Sequence, residues 1–250
     1  MDQRDRTLLG KFCSARRVLG LPPIIKLACG RDFLVAEAEE GDLWVLGDNT
    51  YGQLGLGHTD CALQPTRIDV EERSEGRLRC LVALCDGVIL IDSQGGVFSA
   101  GANSFGQLGR TSGDLSKLQR ISDIPPMLGA ACGFNHTLSL DANGGVWTWG
   151  LGTWGQLGTG NTYDQSLPIL APLEGVSALA AGRHHSLVYK EDGGLLVFGS
   201  NGFGQLGLNH RTNKIVNPTL TVLQPALPHS VRRREKSARS SVPFHERESS

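Results

Sequence analysis

The sequence predicts an all-β fold, a β-propeller whose blades are sheets of about four antiparallel strands. Three observations carry this. Gly-Gln-Leu-Gly occurs four times, at 52–55, 106–109, 155–158 and 204–207. The stretch before each copy repeats as well: Gly41-Asp-Leu-Trp-Val-Leu-Gly47, Gly95-Gly-Val-Phe-Ser-Ala-Gly101, Gly144-Gly-Val-Trp-Thr-Trp-Gly150 and Gly193-Gly-Leu-Leu-Val-Phe-Gly199. The runs between turns are short, rich in β-branched and aromatic residues, and bounded by Gly, Asn and Asp, which are strand signals. No window sustains an apolar 3.6-residue period over a helix length. About four strands per unit of some fifty residues marks a propeller blade.

The closing glycines of the four segments are 54, 49 and 49 residues apart. In the first unit a strand is expected through Ile24–Cys29, a second through Phe33–Glu37 and a third through Leu43–Leu46. A weaker outer strand follows near Pro65–Val70, with counterparts near Leu118–Ile121, Pro168–Leu170 and Pro218–Val222. Gly30, Gly133 and Gly182 stand eleven residues before their segments; the second unit has Leu84 there and is degenerate. The repeats occupy residues 15–224, divided at about 15–66, 67–118, 119–167 and 168–224. Residues 1–14 form an N-terminal segment, and 225–250 a disordered tail rich in serine and basic residues.

Equivalent positions carry physical information. Two residues after each closing glycine stand Asn49, Asn103, Gly152 and Asn201, read as left-handed turn residues because Asn and Gly share tolerance of positive φ. Two further on, Tyr51, Phe105, Trp154 and Phe203 are always aromatic and are expected to pack beneath the turn or between blades. Leu54, Leu108, Leu157 and Leu206 are expected as core pegs. Cys29 and Cys132 share a column and read as small core residues.

With 33 glycines in 250 residues the chain has the material for many tight turns. A net charge of −1 gives no general reason to bind nucleic acid or membrane. No apolar run is long enough to span a bilayer, and Met1-Asp-Gln-Arg-Asp-Arg6 lacks a signal-peptide core. Six cysteines without a paired framework suit reduced thiols in the cytoplasm or nucleus. Arg232, Arg233, Arg234 and Lys236 form a basic cluster that suits localisation or phosphate binding; a solvated terminus is the preferred reading.

No residue pattern points to catalysis, a metal or a cofactor. Gly150-Leu-Gly-Thr-Trp-Gly155 fits G-x-G-x-x-G, but that motif needs a helix to receive the pyrophosphate and no helix pattern follows. His136 and His185 share a column, which sets them on different blades; they are expected to hydrogen-bond backbone near a turn. Asp69-Val-Glu-Glu-Arg-Ser-Glu-Gly-Arg77 holds the five-residue excess of the first spacing. Its Glu71, Glu72, Arg73, Glu75 and Arg77 make a candidate partner-binding loop, the alternative being a longer solvated connection.

The succession Gly-x-x-His-Ser/Thr-Leu, a strand, Gly-x-Val-Trp-x-Trp-Gly and Gly-Gln-Leu-Gly resembles the repeat of the regulator of chromosome condensation family. Gly133 through Gly160 and Gly182 through Gly207 carry it best. The resemblance implies a propeller that has seven blades in complete members. About four here make an incomplete, open arc of the seven-blade type. Such an arc is expected to belong to a longer protein or to be completed by a partner or a second copy. The plant ultraviolet-B photoreceptors of this fold carry Gly-Trp-Arg-His-Thr, which no segment here matches, so the tryptophans read as core. The function implied is a non-enzymatic protein-interaction module or scaffold, with ubiquitin-ligase components among its partners. The alternative is a guanine nucleotide exchange factor for a small Ras-like GTPase, the activity of the founding member. Nucleic acid enters only through the basic tail.

Overall fold

The computed structural model describes residues 17–221, and every regular element in that span is a β-strand. Four four-stranded antiparallel sheets follow one another along the chain. Blade 1 holds β1 (Ile24–Cys29), β2 (Phe33–Ala38), β3 (Leu43–Gly47) and β4 (Ala62–Ile68). Blade 2 holds β5 (Cys80–Leu84), β6 (Gly87–Ile91), β7 (Val97–Gly101) and β8 (Gln119–Arg120). Blade 3 holds β9 (Met127–Cys132), β10 (His136–Asp141), β11 (Val146–Gly150) and β12 (Gln165–Leu170). Blade 4 holds β13 (Val176–Ala181), β14 (His185–Lys190), β15 (Leu195–Asn201) and β16 (Thr212–Thr221). The first strands β1, β5, β9 and β13 neighbour one another in turn and form the inner wall of the arc.

The outer strands begin earlier than the prolines suggested. Pro65, Pro168 and Pro218 lie inside β4, β12 and β16 rather than at their starts. An outer strand has one free edge, so a residue without N–H is tolerated there. Unit boundaries drawn at 66, 118 and 167 accordingly move to the connections after 68, 120 and 170.

Blades 2 and 3 bury both faces of their middle strands, so the apolar columns serve alternate boundaries. At the first boundary Phe33, Val35, Val45 and Leu54 meet Leu81, Val88, Leu90 and Phe98. At the second, Ile89, Ile91, Val97 and Leu108 meet Met127 and Trp149. At the third, Leu138 and Val146 meet Val176, Val188 and Phe198. Burying each such side chain contributes about 1.5–3 kcal/mol, so the boundaries carry most of the favourable free energy of the arc.

The closing glycines are required by close approach. Gly47, Gly101, Gly150 and Gly199 sit at φ between 97° and 117°, and an added Cβ would run into the backbone entering the second strand of the same blade. The following N–H then bonds back to that entry, as in Asp48 N to Asp32 O and Leu151 N to Asn135 O.

Candidate functional site

Strands one and three of a blade run the same way, so the one–two turn and the three–four connection emerge on the same face. That face carries the aromatic column. Tyr51, Phe105, Trp154 and Phe203 are 50, 39, 37 and 89% exposed, which corrects the expectation that they pack beneath the turn; of the alternative, packing between blades, Trp154 shows a part by lying against His184 of the next blade. The reason lies two residues on. The side-chain carbonyls of Gln53, Gln107, Gln156 and Gln205 accept the N–H of Tyr51, Phe105, Trp154 and Phe203, each at 2.9 Å. Gln53, Gln107 and Gln156 are buried, so the amide occupies the space below the turn and the ring stands outside it. The leucines that follow, Leu54, Leu108, Leu157 and Leu206, are buried pegs as expected.

The Asn column also differs from expectation. Asn49, Asn103 and Asn201 are not at positive φ. Their side chains brace the loop instead. Asn49 Oδ1 accepts Leu54 N–H while its Nδ2 donates to the carbonyls of His58 and Asp60. Asn103 joins Leu108 N–H to Arg110 O, and Asn201 joins Leu206 N–H to His210 O. Gly152 replaces Asn in blade 3 because Tyr163 O occupies the space of a Cβ, and Asp164 Oδ1 takes the Gly152 N–H.

Nearer the axis on the same face, the one–two turns present Arg31, Cys85, Phe134 and Arg183. Backbone bonds link them blade to blade: Arg31 N to Cys85 O at 2.9 Å, Cys85 N to Phe134 O at 3.2 Å and Phe134 N to Arg183 O at 3.1 Å. These turns border a groove of about 440 Å³ along the inner wall. The Arg183 guanidinium lies 4.8 Å from the centre of the Phe134 ring. His184 stands between Phe134 and Trp154, with ring centres 6.0 and 6.1 Å away. Trp154, His184, Phe134 and Arg183 thus form one aromatic and cationic patch from outer rim to groove. Arg31 pairs with Asp86 at 2.9 Å beside it.

His136 does not bond backbone, as expected of it; its Nε2 meets Ser186 Oγ on the next blade, and the ring is fully buried. Burial, then the neighbouring His184 and His185, push its pKa down to about 3. Ser186 donates to Gln156 O and Thr137 to Gln107 O, so the Ser/Thr of each good repeat reaches back to the glutamine of the preceding blade. The degenerate second unit has Val88 there, which joins the apolar contacts of its boundary in place of that side-chain hydrogen bond.

Cys29 is exposed although Cys132 in the same column is half-buried against the core between blades 2 and 3, desolvation pushing the Cys132 thiol up to about 12. The cause is position: among the described residues no blade precedes blade 1. The five described cysteines are free. No helix follows Gly150–Gly155, and no group of three potential metal ligands occurs among the described residues. No described helix is long and apolar enough to cross a membrane.

The charged loop runs from strand four of blade 1 to strand one of blade 2, which sets it on the opposite face from the aromatic row. Its residues are divided. Glu71, Glu72, Glu75 and Arg77 are exposed, while Arg73 turns inward to Gly41 O at 3.0 Å and Ser74 N–H bonds Asp92. Leu78 N–H then donates to the buried carboxylate of Glu37, which pairs with Lys26 at 2.7 Å. Glu37 escaped sequence reading because it is a lone acid in a column otherwise held by Ile91, Leu140 and Tyr189. Arg232, Arg233, Arg234 and Lys236 lie outside the described residues.

The model of the repeat described as "Regulator of chromosome condensation (RCC1) repeat" matches residues 40–79, 94–140 and 143–189, and a second model of the same description matches 176–205. Together they cover more than half of the chain. A Danio rerio "Protein RCC2 homolog" is 30% identical over 150 residues, 49% of this chain and 30% of that protein. A Bos taurus "Secretion-regulating guanine nucleotide exchange factor" is 43% identical over 75 residues, 28% of this chain and 15% of its own length. The crystal structure of Prp20p from Saccharomyces cerevisiae, described together with its binding properties to Gsp1p and histones, superposes with a TM-score of 0.72. Its sequence is 25% identical, and the match covers 81% of this chain and 51% of that one. The chain therefore spans about half of that protein, and its matches take in less of the other two.

Proposed function

Because the chain belongs to the regulator of chromosome condensation repeat family, we propose that it is a non-enzymatic protein-interaction module whose working surface is the aromatic face. The observation that carries this reading is the exposed row Tyr51, Phe105, Trp154 and Phe203, one ring per blade, each with its backbone N–H held by a glutamine side chain that is buried in the first three blades. Large rings presented rigidly and at low entropic cost are what protein interfaces concentrate their binding in. The groove-side patch of Phe134, His184 and Arg183 extends the row and favours a partner with aromatic or acidic side chains. Free thiols at all five described cysteines support a reducing compartment, cytoplasm or nucleus.

The test compares the chain with a Tyr51→Ser/Trp154→Ser/Phe203→Ser variant in affinity capture. Loss of the captured partner with an unchanged melting temperature supports the reading. Retention of the partner by the variant refutes it.

The stretch shared with a protein named as an exchange factor favours a second reading, that this chain accelerates nucleotide release from a small Ras-like GTPase. A release assay across a GTPase panel separates the two. Acceleration by substoichiometric chain would replace the scaffold reading; binding without release supports it. The exposed Glu71, Glu72 and Glu75 are then the acidic side chains to neutralise first.

A further inference from the structure

The connections of blades 3 and 4 sort charge by face. The aromatic face takes the one–two turns 133–135 and 182–184 and the three–four connections 151–164 and 202–211. These hold Arg183 and Arg211, with Lys214 just inside β16. The acid among them is Asp164, whose Oδ1 already accepts the Gly152 N–H. The opposite face takes the two–three turns 142–145 and 191–194 and the connections 121–126 and 171–175. These hold Asp123, Glu174, Glu191 and Asp192 and no cation. Lys190 stands beside them at the end of β14 and pairs with Asp192 at 3.3 Å.

Elsewhere cations are matched within the chain: Lys26 by Glu37, Arg31 by Asp86, Arg67 by Asp42. Arg183 and Lys214 reach no carboxylate among the described residues. Arg183 lies over the Phe134 ring, which leaves its charge and its planar N–H fork to meet an anion. Lys214 Nζ donates to Thr153 O at 3.4 Å. Both contacts cross the boundary between blades 3 and 4. Between the two cations stand Trp154 and His184, and Tyr163, 72% exposed, rises from the connection that carries Trp154. Towards blades 1 and 2 the same face turns acidic: Asp32, Asp48, Asp60, Asp86 and Asp114 stand there against Arg31, Lys117 and the buried Arg110.

We propose that the strip of aromatic face across blades 3 and 4 is the docking site of an acidic protein segment whose carboxylates alternate with apolar or aromatic side chains. The carboxylates meet Arg183 and Lys214, and the apolar side chains lie on Trp154 and Tyr163. The acidic opposite face repels such a segment, so charge alone decides which side of these blades it takes. A phosphate backbone is the poorer fit. So few cations release few counterions, and a strand extended along the face runs onto the aspartates of blades 1 and 2. The inference rests on the reading of the aromatic face as an interaction surface and adds the chemistry of the partner.

The experiment titrates the full chain into three fluorescent probes and follows anisotropy: a peptide of repeated Glu-Glu-Phe, a peptide of repeated Lys-Lys-Phe, and single-stranded oligothymidylate. The acidic peptide is expected to bind, more weakly as salt rises, and the basic one not to bind. Arg183→Glu and Lys214→Glu are each expected to raise the dissociation constant at least about fivefold. Arg183→Lys is expected to raise it less, because it keeps the charge and loses the fork. Glu191→Gln, on the opposite face, is expected to leave it unchanged. Arg183→Glu/Lys214→Glu is expected to reverse the preference and take the Lys-Lys-Phe peptide at an unchanged melting temperature, which loss of folding does not mimic. The proposal is overturned if the acidic peptide shows no saturable binding, if these substitutions leave its binding unchanged, or if oligothymidylate binds more tightly through Arg183. A captured partner that needs the rings of the aromatic face yet is retained by Arg183→Glu/Lys214→Glu also overturns it, and leaves the wider reading of that face standing.

Discussion

His136 Nε2 lies 2.9 Å from Ser186 Oγ, across the boundary between blades 3 and 4. Because the Ser186 hydroxyl donates to Gln156 O at 2.7 Å, the imidazole must be the donor in this pair. The proton is therefore on Nε2, and the buried Nδ1 has no partner. A second proton on that nitrogen would be charged, buried and unmet.

This gives a signed pH dependence. Unfolded His136 takes up a proton below about pH 6.5, whereas the folded ring resists until about 3. Between these values the unfolded state binds more protons, so stability is full above about 6.5 and is lost as pH falls. By pH 5 one such group removes about 2 kcal/mol. His136→Leu is expected to flatten the decline of denaturant-measured stability from pH 7 to 5; parallel profiles would contradict the burial argument.

The glutamine clamps differ in how well their far ends are met. Gln53 Nε2 donates to Asp48 at 2.7 Å, whereas Gln156 Nε2 is buried without a partner. Gln53→Leu strands the Tyr51 N–H and frees Asp48, at a cost of about 2 kcal/mol. Gln156→Leu also removes an unmet donor and is expected to cost about 1 kcal/mol less. Equilibrium unfolding of the two variants checks the order.

Gly106 and Gly204 have nearly the same φ, 74° and 77°, but different surroundings. A Cβ on Gly106 runs into Ser166, while one on Gly204 meets nothing. Alanine at either position incurs about 1 kcal/mol of backbone strain. Gly106→Ala is expected to cost about 2 kcal/mol more, from overpacking. Melting at high dilution, below any self-association, isolates this difference.

Glu37 and Lys26 should respond unequally to substitution. Lys26 is one-third exposed and can turn to water when Glu37 is replaced by Gln, an expected loss of about 1–2 kcal/mol. Lys26→Met leaves the fully buried carboxylate without its cation, an expected loss of about 3–5 kcal/mol. If the lysine variant proves the milder of the two in equilibrium unfolding, the burial argument for this pair fails.

The blades were legible because each repeat writes the same glycines and the same apolar columns, and a column that recurs four times names its own structural role. Leu54 and its counterparts illustrate this. What stayed hidden was direction. An aromatic residue in a column signals burial by its chemistry, and only the fold-back of Gln53 onto Tyr51 reveals that the amide took the buried place. Asn49 shares positive-φ tolerance with glycine, but its side chain supplied hydrogen bonds instead. Cys29 shows a third limit, since a column cannot tell an end blade from an inner one.

The chain of backbone bonds from Arg31 to Arg183 uses no side chain, so it is indifferent to what evolution writes at those four positions, as their mixture of Arg, Cys, Phe and Arg attests. A gene that gains or loses a segment encoding one whole unit rejoins on the same terms at the seam. The length of such a protein is then free to drift by recombination in steps of about fifty codons, while the side chains at the rim diversify independently of the joinery.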